Sequence, residues 1–509
     1  MASITSDLTL FHDLEGTLTQ NSIGGGAGAT ASTDIFIQNT QSLARRADNA
    51  TNTGFMIDDG AGNDLSAADQ HIGCWVWVTH RSALTALNIR IASNSSINDY
   101  DQHTVPLVEY PATGGWFRVW IDISRTPDST GGTALNEAAV RHLGPVISIN
   151  DVGGNAQNLA LDAIHYGTKG LTATGTSGVW SDFLTADEGT STNRYGVVYS
   201  NAGIIYCLSR LTLGTASSLV FSDSNFVIVF PSQSLVASNY MGITCDLQNA
   251  STNIDWSGGI IKSAGTVKGD IIVTGTSGTF DVINSTLDNL RAITLTSKAT
   301  FTNCTFSTCG LITQSSAVID ECAITNASGT VGILSNDPSK ITDCVFTSDG
   351  TGHAIELSTA GTYTFTGNIF TGYAATNGST GNEAIYNNSG GAITLNVAGG
   401  GSTPSIRNGA GASTTVNNNI SVTLTGLKDN TEVRVYTTET TTELAGTENA
   451  TTGTTDNRSF TFALAADTIV DIVIHNVAYE HYRIDAYTIP TSDSSIPITQ
   501  RTDRNYSNI

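Results

Sequence analysis

Hydrophobic and polar positions alternate along the first 160 residues in short aromatic-rich runs: 34–37 (DIFI), 74–79 (CWVWVT), 87–92 (LNIRIA), 116–123 (WFRVWIDI) and 146–149 (VISI). A period of two marks half-buried strands, and the Gly- and Asp-bearing connections between the runs predict a two-sheet sandwich. Trp75 and Trp77 share one parity while Val76 and Val78 take the other, so both faces of that strand should be covered. From 161 to 250 the pattern stays strand-like. The run FVIVF at 226–230 is apolar throughout, as in strands buried on both faces.

Between 251 and 412 a different word recurs, in which two apolar residues bracket a small or polar one: VINSTL at 282, FTNCTF at 301, IDECAI at 319, ITDCVF at 341 and FTGNIF at 365. Its fourth letters are Ser285, Cys304, Cys322, Cys344 and Asn368, spaced 19, 18, 22 and 24 residues apart. An apolar pair three apart breaks strand parity, so the chain must turn a corner inside each word. The spacing is that of one solenoid coil. Stacked about 4.8 Å apart, equivalent residues form ladders, with the fourth letters as an interior column of small side chains. The prediction is a right-handed parallel β-helix.

Residues 413–490 return to alternation. ISVTLTGLKDNTEVRVY at 420–436 reads as a hairpin-type pairing around Gly426 and the 429–430 turn, and 459–465 and 468–476 add strands. These close a small C-terminal sandwich. Residues 491–509 have no period and read as an extended tail that frays or docks on a neighbour. The expected order is a sandwich over 1–160, a β-rich lead-in over 161–250, the β-helix over 251–412, the second sandwich over 413–490, and the tail.

Composition agrees with an all-β chain. Only 13% of the 509 residues are charged, and Ser, Thr and Asn make up about a third, which leaves few strong helix formers. With 39% hydrophobic residues the chain buries too much apolar surface for wholesale disorder. No apolar run reaches membrane-helix length, and the first residues lack the basic and apolar regions of a secretory leader. A net charge of −23 argues against nucleic acid and anionic membranes as partners and leaves glycans, cations and protein surfaces. Seven cysteines with no CxxC read as reduced apolar fillers.

Candidate chemistry is sparse. Walker, GxSxG, HExxH and EF-hand patterns are absent, and the glycine runs at 24–26 and 399–401 lack a following helix signal and read as linkers. Glu321 and Asp343 occupy one corner column in adjacent coils, close enough for acid and nucleophile roles in glycan cleavage. Corner Asn and Asp ladders are equally a structural device, because their side chains bond local backbone. Asp58, Asp59, Asn63 and Asp64 in IDDGAGNDLS form an oxygen-rich segment with ligands suited to Ca2+, or a plain turn. Trp75, Trp77, Trp116 and Trp120 are either an aromatic core or a platform for sugar rings.

In combination, GGWFRVWIDIS, LDAIHYGTKGLTATG, RYGVVYSNAGIIY, the stacked coils and GLKDNTEVRVY resemble virion proteins of tailed bacteriophages. The resemblance implies a concanavalin-like jelly roll at the N-terminus and an Ig-like or transthyretin-like sandwich at the C-terminus. It further implies a homotrimer on the tail or capsid surface of a virion, made in the host cytoplasm. The expected role is a non-catalytic tail fibre or other appendage that joins other virion proteins and contacts host glycan or receptor. Capsid decoration and tailspike depolymerase activity are the alternatives. No cofactor is expected apart from the Ca2+ candidate.

Overall fold

The computed structural model describes residues 2–503 apart from 7, 13, 16–18, 25–28, 35–40, 48–51, 68–69, 94–96, 110–112, 150–156, 169, 189–196, 215, 238–239, 327–330, 466–467 and 491–492. It is all-β with parallel sheets, and Ser181–Glu188 is the one α-helix among the described residues. Among the described residues no helix is long and apolar enough to cross a membrane. The chain forms two compact units, Met1–Ala299 and Thr300–Ile509.

The first unit opens with two antiparallel sheets. One runs in the order Gly115–Asp122, His71–Val78, Gln157–Gly167, Ser42–Ala47, Thr30–Ser32. The other runs Ser129–Gly131, Tyr100–Thr104, Leu84–Ala92, Val140–Ile149, Thr53–Asn63, Gln20–Ile23. Their inward residues, Ile72, Cys74, Val76 and Val78 from one and Ile57, Leu87, Ile89 and Ile91 from the other, share one core. Alternation produces this, because each strand sends every second side chain into the same apolar layer. The expected strand at 34–37 lies outside the described residues beyond Asp34. Two strands differ from the sequence reading. Gln157–Gly167 is a central sandwich strand, paired with His71–Val78, rather than lead-in. Thr53–Asn63 is an eleven-residue strand where the glycines and acids suggested a loop.

Three ladders of parallel strands follow in this unit. One contains Leu171–Gly175, Arg210–Gly214, Gly242–Asp246 and Asp270–Thr274. A second contains Ile204–Cys207, Val227–Phe230, Ile260–Ser263 and Thr286–Asp288, and a third Ser218–Phe221, Asn253–Ser257 and Thr279–Ile283. Trp180, just before the helix, stacks on Phe221 at 4.2 Å and lies edge-on to Trp256 at 5.4 Å, filling the coil interior with rings. Ser285 turns inward and donates to the Gly258 carbonyl at 2.7 Å.

The second unit repeats the pattern. Its parallel strands include Ile333–Ser335, Ile355–Leu357, Ile385–Asn387 and Ile406–Asn408 on one side and Thr305–Cys309, Ala323–Asn326, Val345–Thr347 and Ile369–Thr371 on another. At the corner before the second set, Asn303, Glu321, Asp343 and Gly367 all have left-handed backbones, with φ of 51°, 53°, 52° and 65°. Asn, Asp and Gly tolerate this region best, which explains why three of the four corners carry them.

The next residue at each corner points inward. Cys304, Cys322, Cys344 and Asn368 are buried, the three cysteines as thiols. They form a polar ladder. The Cys304 amide donates to Cys322 Sγ at 3.3 Å, and the Cys344 amide donates to Asn368 Oδ1 at 3.1 Å. The Cys344 thiol reaches the Ile319 carbonyl at 3.4 Å, and Asn368 Nδ2 donates to the Ile341 carbonyl at 2.6 Å. A small side chain with a donor and an acceptor thus serves backbone groups that the corner takes out of the sheets.

Ser413–Leu427 begins as a coil strand beside Ala392–Ala398 and ends in the C-terminal sandwich beside Asn457–Ala465. No linker separates the two parts. Gly399–Gly401 and residues after them, read as a linker, form a corner and the coil strand Ile406–Asn408, with Gly399 and Gly400 at φ of 65° and 77°. The expected hairpin does not form, since Glu432–Thr437 pairs with Glu443–Thr447 and Ile469–His475 in the other sheet. The tail docks on its own sandwich: Ser494–Pro497 pairs with residues 422–425, and Ile498 joins the core.

Candidate functional site

In the first unit, the outward face of the His71–Val78 sheet carries a second layer of side chains. Register places Trp77 beside Trp116, Trp75 beside Arg118 and Gly73 beside Trp120. The missing Cβ at Gly73 is what lets the Trp120 ring lie flat there, since such an atom would stand 2.5 Å from the indole. Tyr240 covers the end of this layer by stacking on His71 at 3.5 Å. Trp120 is therefore 0% exposed and is excluded from any sugar platform.

Beyond it the layer opens into a cleft of about 250 Å3 lined by Trp75, Trp116, Arg118, Glu109, Tyr199 and Asn201 among others. Trp77 stands behind it, edge to face with Trp116 at 5.8 Å. Arg118 is 3% exposed; it donates to the Ala163 carbonyl at 2.7 Å and lies 4.7 Å from the Trp120 ring. Its guanidinium is held over the rings, as cation–π pairing favours. Glu109 accepts the Ser234 amide at 3.0 Å, which fixes the chain over the sheet. Tyr199 stacks on Tyr206 at 5.0 Å, and burial pushes its phenol up to about 12, so it stays a neutral hydroxyl. Two half-exposed indoles, a phenol and an amide around a small concavity give apolar faces for pyranose C–H groups and polar groups for hydroxyls.

Trp75 and Trp116 were legible as candidates. Tyr199 and Asn201 were not: they sit on the hairpin Val198–Asn201 and Ile204–Cys207, whose turn at Ala202 and Gly203 has φ of 52° and 80°. The Asn-Ala-Gly turn signal was available in the sequence, but nothing local ties it to Trp75.

The remaining candidates are placed elsewhere. Asp58 lies within a strand, and both its oxygens are engaged by Arg141, with Nη2 to Oδ2 at 2.9 Å. Burial raises the Asp58 pKa, but Arg141, the Gly60 amide and His142 outweigh it and hold the carboxyl below its usual range. Asp59 accepts Asn63 Nδ2 at 2.9 Å, and Asp64 accepts the Ser66 amide and hydroxyl. The four are thus not gathered as Ca2+ ligands, and no cluster of three metal-binding side chains occurs among the described residues. Glu321 and Asp343 are exposed corner residues whose amides donate to Thr342 and Thr366 carbonyls at 3.0 Å. The Asp343 carboxylate lies against Gly367, where no Cβ would fit. Neither acid lines the aromatic cleft.

Comparison with known proteins finds no matching family model and no matching curated protein. Among solved structures, a family 11 carbohydrate-binding module from Clostridium thermocellum, in complex with a β-1,3-1,4-mixed-linked tetrasaccharide, is 14% identical, with TM-score 0.22 over 31% of this chain and 94% of that one. An agarase is 12% identical, with TM-score 0.22 over 31% of this chain and 24% of that one. The catalytic unit of an α-1,3-glucanase from Streptomyces thermodiastaticus is 13% identical, with TM-score 0.18 over 82% and 75%. The chain spans about a quarter of the agarase it matches.

Proposed function

We propose that this chain is a non-catalytic structural protein of a bacteriophage virion, a tail fibre or comparable appendage that contacts host-surface glycan through the cleft between Trp75, Trp116 and Tyr199. The cleft carries this reading: it is concave, ringed by half-exposed aromatics, and backed by a layer whose hydrogen bonds hold it in place. Parallel coils with a buried polar ladder suit a particle component, because strand pairing between coils and inward corner side chains satisfy the backbone without a large globular core. Depolymerase activity gains no support from Glu321 and Asp343, whose corner conformation is shared by Asn303 and Gly367.

The test is binding of the purified full chain to host envelopes and to an array of neutral oligosaccharides. Trp75→Ala and Trp116→Ala should each weaken binding about tenfold, since an aromatic contact contributes on the order of 1 kcal/mol beyond its area, while the melting temperature stays close to wild type. Unchanged binding in both variants would remove the cleft from the reading. Antibody labelling of virions that found the chain on the head alone would replace attachment by capsid decoration.

A further inference from the structure

In the second unit, the side chains pointing outward from one parallel sheet read Leu334, Glu356, Tyr386 and Arg407 in consecutive coils, each in direct register with the next. The Arg407 guanidinium carbon lies 4.8 Å from the Tyr386 ring centroid, and Nη1 lies 3.3 Å from His353 Nε2. The buried His353 ring stacks on Tyr386 at 5.0 Å, and its Nδ1 stands 2.7 Å from the Glu383 carbonyl. A carbonyl only accepts, so Nδ1 carries the hydrogen and Nε2 presents its lone pair to Arg407.

Arg407 shares with Arg90, which lies over the Tyr100 ring and bonds Gln102, the lack of a carboxylate partner that other arginines have. Arg210 and Arg291 both pair with Asp270, and Arg434 pairs with Glu432, Glu443 and Glu448. Among the described residues no carboxylate lies within ion-pairing distance of Arg407, although the chain has 45 acidic residues to 22 basic ones. The acids beside it are engaged elsewhere. Glu356 accepts Asn388 Nδ2 at 2.7 Å, and the buried Glu383 accepts the Thr380 and Gly381 amides at 2.8 and 3.0 Å. The loop that carries Glu383 is pinned along the Arg407 strand: Asn377 Oδ1 accepts the Ile406 amide at 2.7 Å, and Gly381 faces Nη1 with no side chain between them.

A half-buried guanidinium held between an imidazole nitrogen and a phenol ring offers its planar fork to an external anion. Tyr386, Asn388 and Glu356 flank it with an aromatic edge, an amide and a hydroxyl acceptor, the groups a pyranose uses. We propose that this surface binds the carboxylate of an acidic sugar unit, with the Arg407 fork on the carboxylate and Glu356 and Asn388 on ring hydroxyls. The site is separate from the aromatic cleft and does not depend on it.

Calorimetry on the full chain with α-1,4-linked trigalacturonate, its methyl ester and inorganic sulfate tests the assignment. Trigalacturonate should bind, weaken as salt is raised, and lose about tenfold or more in affinity on esterification or in Arg407→Gln. Arg407→Lys, which keeps the charge but not the fork, should fall between them, and Trp75→Ala should leave this binding unchanged. Equal melting temperatures exclude loss through unfolding. No binding of trigalacturonate, equal affinity for the ester, or full affinity in Arg407→Gln would each overturn the proposal. Sulfate binding as tightly as the trisaccharide would reduce the site to a simple oxyanion hole and overturn the sugar assignment.

Discussion

Asn368→Ala isolates what the inward corner residue does. Asn368 is fully buried and makes two bonds to the preceding coil, Nδ2 to the Ile341 carbonyl at 2.6 Å and Oδ1 from the Cys344 amide at 3.1 Å. Alanine leaves both backbone groups buried without partners, at about 1–3 kcal/mol each, part of which an internal water would recover. The expected local cost is about 2–4 kcal/mol. Cys322→Ala in the same column removes a thiol, a weak donor and weak acceptor, and should cost only about 1–2 kcal/mol.

Native-state labelling of Cys344, followed by mass spectrometry, reads this cost directly. A thiol must meet the reagent to react, and Cys344 is 0% exposed in the closed coil. Labelling therefore reports opening of the coil. A loss of about 2 kcal/mol predicts a rise of roughly 30-fold in the Cys344 labelling rate in Asn368→Ala. Asn368→Ser should recover part of it, as Ser285 fills the equivalent place in the first unit. A rate within threefold of wild type would show that packing alone holds the corner, and the polar-ladder account would be wrong.

Other consequences concern both units. His103 and His165 are pushed down to about 4 and about 3, chiefly by burial and secondly by Arg125 and Arg118. Their folded pKa values lie below the unfolded value of about 6.5, so their stabilisation is complete above that pH and falls by up to about 1.4 kcal/mol per pH unit for each as pH drops toward 4. Thermal melts from pH 7 to 4 should show this slope, shallower in His165→Gln; a flat profile contradicts it. Gly73→Ala would press a methyl group into the Trp120 ring and should cost about 1–3 kcal/mol, read as a lower melting temperature with altered tryptophan fluorescence; an unchanged melt would mean the layer is loose. Millimolar Ca2+ should leave the melting temperature unchanged because Arg141 already holds Asp58, and a rise of several degrees would restore a calcium site. Glu321→Asn should stabilise by about 0.5–1 kcal/mol, since Asn tolerates the left-handed corner better; a loss of stability would mean the glutamate has a role beyond the corner.

The coils were legible because their constraints are local. Each corner needs a parity break, a left-handed residue and a small inward one, and all three fall within six letters, as in FTNCTF and ITDCVF. Segments 53–63 and 399–408 misled for one reason: glycine and aspartate signal a turn in isolation, while here Asp58 bonds Arg141 on the neighbouring strand and Gly399 turns a coil corner. The tail was opaque because Ile496 and Ile498 alone carry its alternation, and their partners lie some seventy residues upstream. The cleft was half legible. Trp75 and Trp116 stood out as indoles that fit either a core or a sugar platform, but Glu109, Tyr199 and Asn201 reach them by tertiary packing alone.

The acidic corner column shows how a solenoid produces the outline of an active site without its chemistry. Stacking brings equivalent positions to neighbouring coils at the strand spacing of about 4.8 Å, so any two acids that suit a corner meet at a distance a glycosidase would use. Catalysis needs more than proximity: it needs a cleft that positions a glycosidic bond and an environment that separates the two acids in role. Glu321 and Asp343 have the same exposure, the same backbone conformation and the same amide bond along the ladder. Equivalence of this kind is what the corner demands and what an acid–nucleophile pair must avoid. Arg407 shows the reverse. Its place in the outward column is as regular as theirs, yet the inserted loop, the fixed imidazole and the missing counter-charge make it unlike its neighbours. In a repetitive fold, departure from the repeat is the stronger sign of a site.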